Sequence, residues 1–458
     1  MKRKVEYLYL AGFSLNLVTL SLFYLRTVNP DTFWHIKVGQ YIVHNLTIPK
    51  ADIFSWSVYG EPWIIHQWLA DVIMYLWFSS LNLYGIWIMV FLCALLTSII
   101  LFKGILLINA NSLAAAIIAG ATVFFLLGWN SPWPQVFAYI MFAVYLYLSL
   151  RNEWDYKAFY TVAVVSILWA NVHSNAVLFP LLLLAESAWY YFTRLENTAK
   201  TSRRLMAAGI AFLGTLVSPH GINLWQYAIG EGLFSATYRQ YIANWRPYDF
   251  GNVWFVFVFF ICMFIIYYSI KHQEELSKLA LMRALGFWAL ALLSRIYMPF
   301  AVMSTFLLLG YFNLETKRAL SKKVATGMVF IGAATIIFSY IPNDLDKMAK
   351  NNYPVEAVQV IKDERYQNIF NIHEWGGYLM LNDIPVYMDG RNDVYKNIIG
   401  DYMSIVTGGV PISKSIKETG AETALLRDGS AVDMVLNEHE EWIEVYRDGV
   451  AVIYILER

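Results

Sequence analysis

Residues able to carry out acid–base chemistry are concentrated in one short segment near the N-terminus. Asp31 comes directly after Pro30, and His35 follows four positions later. Proline and aspartate suit the first turn of a helix, so we expect Asp31 and His35 one turn apart on the same face. A carboxylate and an imidazole placed in this way can act as a general base and its partner, or as metal ligands. The plainer interpretation is that Asp31 caps a short helix and His35 lies at the level of the lipid headgroups.

Acidic residues are otherwise scarce in this part of the chain. Residues 1–342 contain 14 Asp and Glu, and four of them fall within 41 positions. These four are Asp31, Asp52, Glu61 and Asp71. The local concentration predicts a site on the loop that holds them, residues 27–85.

Further polar and aromatic residues are candidates for substrate binding. Aromatic rings can stack on a sugar or a lipid carrier, although a belt at the membrane interface is the commoner use. A guanidinium between two apolar runs can bind a phosphate through two hydrogen bonds, or can pair with a carboxylate. A lone histidine is more commonly a hydrogen-bonded residue at a helix end than a ligand. The candidates for substrate binding are Trp34, Trp63, His66, Gln67, His173, His220 and Arg295.

Long apolar runs must position these residues. Of the 458 residues, 58% are apolar and 15% are charged. In soluble domains roughly 45–50% of the residues are apolar and about 25% are charged. This composition excludes a disordered chain and disfavours a soluble enzyme. It predicts a polytopic α-helical membrane protein with about 11 spans. Apolar runs suitable for spans lie near 7–26, 86–108, 113–130, 133–150, 158–173, 176–193, 205–219, 253–270, 282–294, 296–312 and 324–341.

The segment 64–84 is also apolar, but its start carries His66, Gln67 and Asp71. An ionised aspartate at the bilayer centre costs several kcal/mol unless it faces protein or water. We therefore expect an amphipathic or re-entrant helix here rather than a crossing. By the same principle Glu186, inside an apolar run, is a candidate functional residue. The plainer expectation is that it snorkels or pairs locally, since it lies toward the predicted cytoplasmic end of the run.

Basic clusters predict the orientation, because Lys and Arg concentrate on the cytoplasmic side. They place the N-terminus in the cytoplasm and the loops 27–85 and 219–252, together with the tail, outside. The clusters are Lys2-Arg3-Lys4, Arg151 with Lys157, Lys200 with Arg203-Arg204, the segment 271–283, and Lys317-Arg318 with Lys322-Lys323.

The tail differs in composition from the rest of the chain. Residues 343–458 contain 20 Asp and Glu against 11 Lys and Arg, a net charge of −9 that cancels +9 on residues 1–342. The overall balance argues against a nucleic-acid surface. We expect the tail to fold as a small extracytoplasmic α/β domain, with a strand at 385–388. We also expect a hairpin, in which the Asp448-Gly449 pair indicates a type I′ turn. We thus divide the chain into a membrane domain, 1–342, and a soluble domain, 343–458.

Several of these motifs together resemble a known group of proteins. They begin with Asp31-Thr32-Phe33-Trp34-His35, Gly39-Gln40, Pro62-Trp63 and His66-Gln67-Trp68-Leu69, and continue with Trp169-Ala170-Asn171-Val172-His173, Pro219-His220-Gly221, Trp245-Arg246-Pro247, Trp375-Gly376-Gly377 and Asp389-Gly390-Arg391. The pattern resembles bacterial multi-pass proteins classed with the GT-C glycosyltransferases, the superfamily of protein O-mannosyltransferases and aminoarabinose transferases. The resemblance covers nearly the whole chain.

The resemblance implies a catalytic carboxylate in the first outside loop, where Asp31 matches. It also implies a sugar donor linked to a polyprenyl phosphate, and a saccharide, lipid or protein acceptor at the outer face of the membrane. Arg295 or a divalent cation would then stabilise the leaving phosphate. The chain departs from the pattern at Gln67 and Asn244, where the group has acids. A flippase for a lipid-linked saccharide and a non-enzymatic assembly or scaffold protein are the alternative functions.

Overall fold

A computed structural model describes residues 29–109, 111–126, 129, 131–233, 236–242, 245–272, 276–312, 326 and 352–457. The spans expected at 7–26 and 324–341 lie outside these residues, apart from Thr326, and so does Asn244. The helices before the tail are α1 (Pro30–Asn45), α2 (Trp68–Leu81), α3 (Leu83–Ile105), α4 (Ser112–Phe125), α5 (Gln135–Arg151), α6 (Tyr156–Val172), α7 (Leu178–Thr193), α8 (Thr198–Thr215), α9 (Asn223–Gln226), α10 (Ala236–Tyr241), α11 (Val253–His272), α12 (Lys278–Leu293) and α13 (Met298–Leu308). Short 3₁₀ turns at Ser174–Val177, Arg295–Tyr297 and Leu309–Tyr311 and a π-helical segment at Tyr227–Leu233 complete this part.

Within the described residues, three helices are long and apolar enough to cross a membrane. They are Leu83–Ile105, Ser174–Thr193 and Val253–His272. Shorter apolar helices cover Trp68–Leu81, Ser112–Phe125, Gln135–Arg151, Tyr156–Val172 and Arg295–Tyr311. These helices indicate a membrane protein, whereas the figure of about 11 spans and the orientation of the termini stay predictions.

The tail contains both helices and strands, as its composition predicted. Its elements are α14 (Val355–Glu364), β1 (Ile369–Asn371), α15 (His373–Leu381), α16 (Ile399–Val406), α17 (Ile412–Glu418), β2 (Thr423–Arg427), α18 (Ala431–Asn437), β3 (Trp442–Arg447) and β4 (Ala451–Leu456). The sheet has the order β1-β2-β4-β3. Strands β1 and β2 are parallel, with Ile369 opposite Thr423, and helices α15, α16 and α17 form the crossover that a parallel pair requires.

Two local predictions for the tail need correction. The segment 385–388 is not a strand, because only Val386 forms a bridge, with Ser55. The β3–β4 hairpin is present, but its turn is not type I′, since that turn needs positive φ at both central residues and only Gly449 has it, at 79°. Asp448 instead accepts hydrogen bonds from the backbone N–H groups of Val450 and Ala451, at 2.9 and 2.8 Å, which fixes the turn through its side chain.

The chain forms two compact units that do not follow a single cut in the sequence. One unit comprises the described residues within Trp87–Ser235 and Ala243–Ile341, and the other comprises those within Thr27–Ile86, Ala236–Ile242 and Pro342–Arg458. We call the second the loop–tail unit, because it joins the first outside loop to the tail. The division at residue 342 is a statement about composition and stays a prediction.

In the first unit, Glu186 is buried in an ionic cluster between helices. Its carboxylate accepts hydrogen bonds from the Tyr145 hydroxyl at 2.6 Å and the Ser149 hydroxyl at 2.7 Å. The guanidinium of Arg283 lies 3.1 Å from Oε1, and that of Arg204 lies 3.7 Å from Oε2. Buried charges are costly unless they are paired, so this cluster joins α5, α7, α8 and α12. Local pairing, which was the plainer expectation for Glu186, is what the structure shows.

Candidate functional site

The carboxylate of Asp31 lies at the start of α1. Asn29 precedes the helix, and its side chain accepts a hydrogen bond from the Asp31 backbone N–H at 2.9 Å. Asn29 is therefore the capping residue, which leaves the Asp31 side chain for another role. The indole N–H of Trp34 donates to Oδ1 of Asp31 at 3.2 Å. Pro30 in the first turn fits the predicted start of this helix.

The surroundings of Asp31 favour its protonated form relative to an exposed aspartate. Burial raises the pKa of this carboxyl above its ordinary value and is the strongest influence. The nearby imidazole of His373 and the Trp34 hydrogen bond act in the opposite direction, and Asp389 raises the pKa further. A carboxylate with a raised pKa is a better proton acceptor than one in water, which suits a general base.

His35 lies one turn beyond Asp31 on α1, as predicted, but its polar partner is Asp71. The imidazole Nδ1 is 2.6 Å from Oδ1 of Asp71, and the two residues are 3% and 0% exposed. The imidazole also stacks on Trp34, with ring centroids 3.5 Å apart. Gly39 allows α2 to approach, because a β-carbon there would lie 2.0 Å from the carbonyl oxygen of Asp71. The pair joins α1 to α2.

Glycines of the tail lie against the first turn of α1. A β-carbon at Gly390 would lie 1.9 Å from Oδ1 of Asp31 and 2.8 Å from Nε1 of Trp34. One at Gly377 would lie 2.8 Å from the carbonyl oxygen of Pro30. Gly377 belongs to helix α15 and not to a turn, so its role is to permit close packing of two helices. The start of α1 is therefore in contact with two segments of the tail.

A fully buried arginine connects the tail to the loop. Arg391 donates to both carboxylate oxygens of Asp389, with Nε–Oδ1 at 2.9 Å and Nη2–Oδ2 at 2.6 Å. Its Nη1 donates to Asp52, which also accepts from Ser55. The guanidinium lies 4.8 Å from the ring centroid of Trp63. Three charged side chains with 0–1% exposure are thus paired with one another.

The other loop residues predicted to bind substrate are mostly inside this unit. Trp34 and Trp63 are 5% and 4% exposed, with ring centroids 6.5 Å apart, so both lie in the core. Gln67 is 5% exposed, and its backbone carbonyl oxygen accepts a hydrogen bond from the backbone N–H of Asp71 at the start of α2. His66 is partly exposed beside it. The structure thus brings Asp31, Trp34, His35, Trp63, His66 and Gln67 into one unit.

The remaining predicted residues belong to the first unit. His173 is 9% exposed at the end of α6, and its Nδ1 accepts the N–H of Asn175 at 3.2 Å. His220 lies in a turn, where its N–H donates to the Ser218 hydroxyl at 3.2 Å. Arg295 lies 3.8 Å from Asp249 and 5.9 Å from the ring centroid of Phe255. The pairing of Arg295 with a carboxylate was one of its two expected roles.

A metal centre was among the expected chemistries for the loop. The described part of the chain has no group of three or more His, Cys, Asp or Glu that could hold a metal ion. The expected divalent cation stays a prediction.

Sequence reasoning missed three residues of this site. His373 and Asn392 are joined by a 3.2 Å contact between Nε2 and Oδ1, and Asn392 donates to the carbonyl oxygen of Gly390 at 2.9 Å. Arg391 was noticed only as part of a motif. The signal in the sequence was a glycine flanked by two charged residues, Asp389-Gly390-Arg391. This motif does not reveal the residues that it contacts, Asp31 and Asp52, because they are far away in the sequence.

Comparisons with known proteins bear on the fold. No protein-family model matches the chain, and no curated protein matches it. Among solved structures, it is similar to the archaeal oligosaccharyltransferase AglB from Archaeoglobus fulgidus in complex with an inhibitory peptide and a dolichol-phosphate. That match has a TM-score of 0.58 and 11% identity, and covers 99% of this chain and 74% of that chain. The chain is also similar to a second A. fulgidus oligosaccharyltransferase structure, in the apo form. That match has a TM-score of 0.55 and 12% identity, and covers 90% of this chain and 69% of that chain.

The chain shares the fold of an oligosaccharyltransferase. This fold supports the predicted combination of apolar helices with a small C-terminal sheet, whereas membership of the GT-C superfamily stays a prediction. The narrower resemblance to bacterial protein O-mannosyltransferases and aminoarabinose transferases stays a prediction.

Proposed function

We propose that this protein is a membrane glycosyltransferase that moves a sugar from a polyprenyl-phosphate-linked donor to an acceptor at the outer face of the membrane. The observation that carries the proposal is the Asp31 carboxylate, held by Trp34 at the start of α1, with a raised pKa, in a chain with an oligosaccharyltransferase fold. The loop–tail unit and the C-terminus would then lie outside the cell membrane, and the N-terminus in the cytoplasm.

The similar AglB structure supports the chemical classes of donor and acceptor. That protein was captured with a dolichol-phosphate, which is a polyprenyl-type lipid phosphate, and with an inhibitory peptide. A lipid-linked donor fits this chain because its apolar helices can accept the lipid tail. A peptide fits the wider class of saccharide, lipid or protein acceptors that the sequence predicted.

The reaction needs one proton transfer and one group transfer. The Asp31 carboxylate accepts the proton of the acceptor hydroxyl as its oxygen bonds to the anomeric carbon. The bond from that carbon to the lipid phosphate breaks on the opposite side, so the configuration inverts and the lipid phosphate leaves with the bonding electrons. Arg295 belongs to the first unit, where it pairs with Asp249 at 3.8 Å, and its expected role toward the phosphate stays a prediction.

Purified protein in lipid nanodiscs, supplied with polyprenyl-phosphate-linked sugars and small saccharide and peptide acceptors, tests this assignment. We expect sugar transfer with inversion at the anomeric carbon and release of polyprenyl phosphate. Movement of the intact lipid-linked saccharide between leaflets without transfer would support the flippase alternative. Neither transfer nor movement with any donor would favour the scaffold alternative.

A further inference from the structure

The turn Asp389–Gly390–Arg391, here called the DGR turn, lies directly against the candidate catalytic carboxylate. A β-carbon at Gly390 would approach Oδ1 of Asp31 to 1.9 Å and its Cγ to 3.0 Å. Real β-carbons do not come this close to other atoms, so only glycine leaves the carboxylate where it is. Gly390 does not have a positive φ. Glycine is therefore required here because it has no side chain, and not because of its backbone freedom.

The DGR turn is itself held rigidly. The Arg391 guanidinium binds Asp389 through two hydrogen bonds and the Tyr395 hydroxyl at 3.0 Å, and it reaches Asp52 in the loop. Tyr395 also donates to Asp389 at 2.7 Å. All of these side chains are buried, and a bidentate arginine pair fixes orientation as well as distance. The backbone at Gly390 is thus held at both ends.

We propose that the DGR turn is a positioning element for Asp31, so that the tail forms one wall of the reactive site and is not a separate binding module. This inference rests on the proposed function in so far as Asp31 is the base. The turn and Trp34 act on the carboxylate in different ways: Trp34 donates a hydrogen bond, and Gly390 limits where the carboxylate can move.

The variant Gly390→Ala tests the proposal, because the atom that its β-carbon meets most closely, Oδ1 of Asp31, is the end of a side chain that can rotate away. The β-carbon also meets Nε1 of Trp34 at 2.8 Å. We expect a folded protein whose carboxylate is displaced, with kcat lower by on the order of 10²-fold and KM within about twofold of the original. Gly400→Ala is the matched control, since a β-carbon there would lie 3.6 Å from the Tyr241 hydroxyl, an ordinary contact.

A stability cycle tests the same contact without reference to activity. Gly390→Ala should lower the apparent Tm more in the original protein than in an Asp31→Ala background, where the carboxylate is gone and only the 2.8 Å approach to Nε1 of Trp34 remains. If Gly390→Ala alone does not fold, the double variant should still fold. An equal loss of Tm in both backgrounds, or failure of the double variant to fold, would overturn the contact.

The two proposals fail differently. Full activity in Asp31→Asn would remove Asp31 from the mechanism and with it the proposed function. Loss of activity in Asp31→Asn together with unchanged kcat in Gly390→Ala would leave the function in place and overturn positioning by the turn.

Discussion

The imidazole Nδ1 of His35 lies 2.6 Å from the carboxylate Oδ1 of Asp71, and both side chains are buried. The pair crosses from α1 to α2 within the loop–tail unit. This short contact fixes the orientation of the imidazole ring. Because His35 stacks on Trp34, and Trp34 donates to Asp31, the pair supports the residue that holds the carboxylate.

Removal of this carboxylate should destabilise the protein. In Asp71→Ala the buried Nδ1 of His35 loses its hydrogen-bond partner, which costs about 1–3 kcal/mol. We expect a lower apparent Tm in thermal unfolding of the protein in nanodiscs. Asp383→Ala is the control, because that carboxylate pairs with Lys37 but is 81% exposed, and exposed pairs contribute about 0–1 kcal/mol. Equal Tm values for the two variants would show that the His35–Asp71 contact contributes little.

The buried cluster around Glu186 gives a second stability prediction. Glu186→Ala leaves the guanidinium of Arg283 without its carboxylate, and loss of one partner of a buried pair costs about 3–5 kcal/mol. The variant should unfold at a clearly lower temperature, or accumulate poorly in membranes. Glu153→Ala provides the comparison, since Glu153 pairs with Arg151 through a side chain that is 67% exposed. A Glu186 variant that behaves like the Glu153 variant would argue against a structural role for the cluster.

Asp393 should make stability depend on pH. Burial raises the pKa of this carboxyl from 3.8 to about 7, while Arg391 opposes the shift and Asp389 adds to it. The folded state therefore binds the proton more tightly than the unfolded chain. The stabilisation is complete below the unfolded pKa and is lost as the pH rises to about 7. Asp393→Asn, which cannot ionise, should raise the apparent Tm at about pH 8 by roughly 2–4 °C for each kcal/mol relieved.

Asp448 provides a control of opposite sign for that experiment. Burial of Asp448 raises its pKa, but hydrogen bonds from the Tyr446 hydroxyl and two backbone N–H groups outweigh this effect and lower the pKa overall. Its stabilisation is present above the unfolded pKa and is lost as the pH falls through the folded pKa. Asp448→Asn should therefore lower the apparent Tm at about pH 8. An Asp393→Asn variant that also loses stability at that pH would contradict the assigned burial of Asp393.

Local chemistry explains which elements could be predicted from the sequence. The start of α1 was predicted from Pro30 and Asp31, and the structure places both in the first turn of that helix. The hairpin could be predicted because both of its signals, the strand propensity of its residues and the Asp-Gly pair, are local in the sequence. Its turn type was wrong because the Asp448 side chain, and not a second positive φ, closes the turn.

Contacts between distant segments account for what could not be predicted. Arg391 and Asp52 are 339 positions apart, and no periodicity or spacing relates them. The strand expected at 385–388 also depends on such a contact, since Val386 pairs only with Ser55 of the loop and cannot extend a ladder there. The sequence placed Asp31 and His35 one turn apart on α1, but the polar partner of His35 is Asp71 on α2, and Gly390 reaches Asp31 from the tail.

Sugar transfer by Asp31→Asn, compared with Glu61→Gln, is the most direct test of the central claim. Both substitutions neutralise an acid of the same loop, and Glu61 is exposed, whereas Asp31 lies in contact with Trp34 and Gly390. With polyprenyl-phosphate-linked donors in nanodiscs, we expect Glu61→Gln to keep the original rate and Asp31→Asn to lose about 10²–10⁴-fold, the contribution of a general base. A rate in Asp31→Asn equal to that of Glu61→Gln would contradict the assignment of Asp31 as the catalytic base.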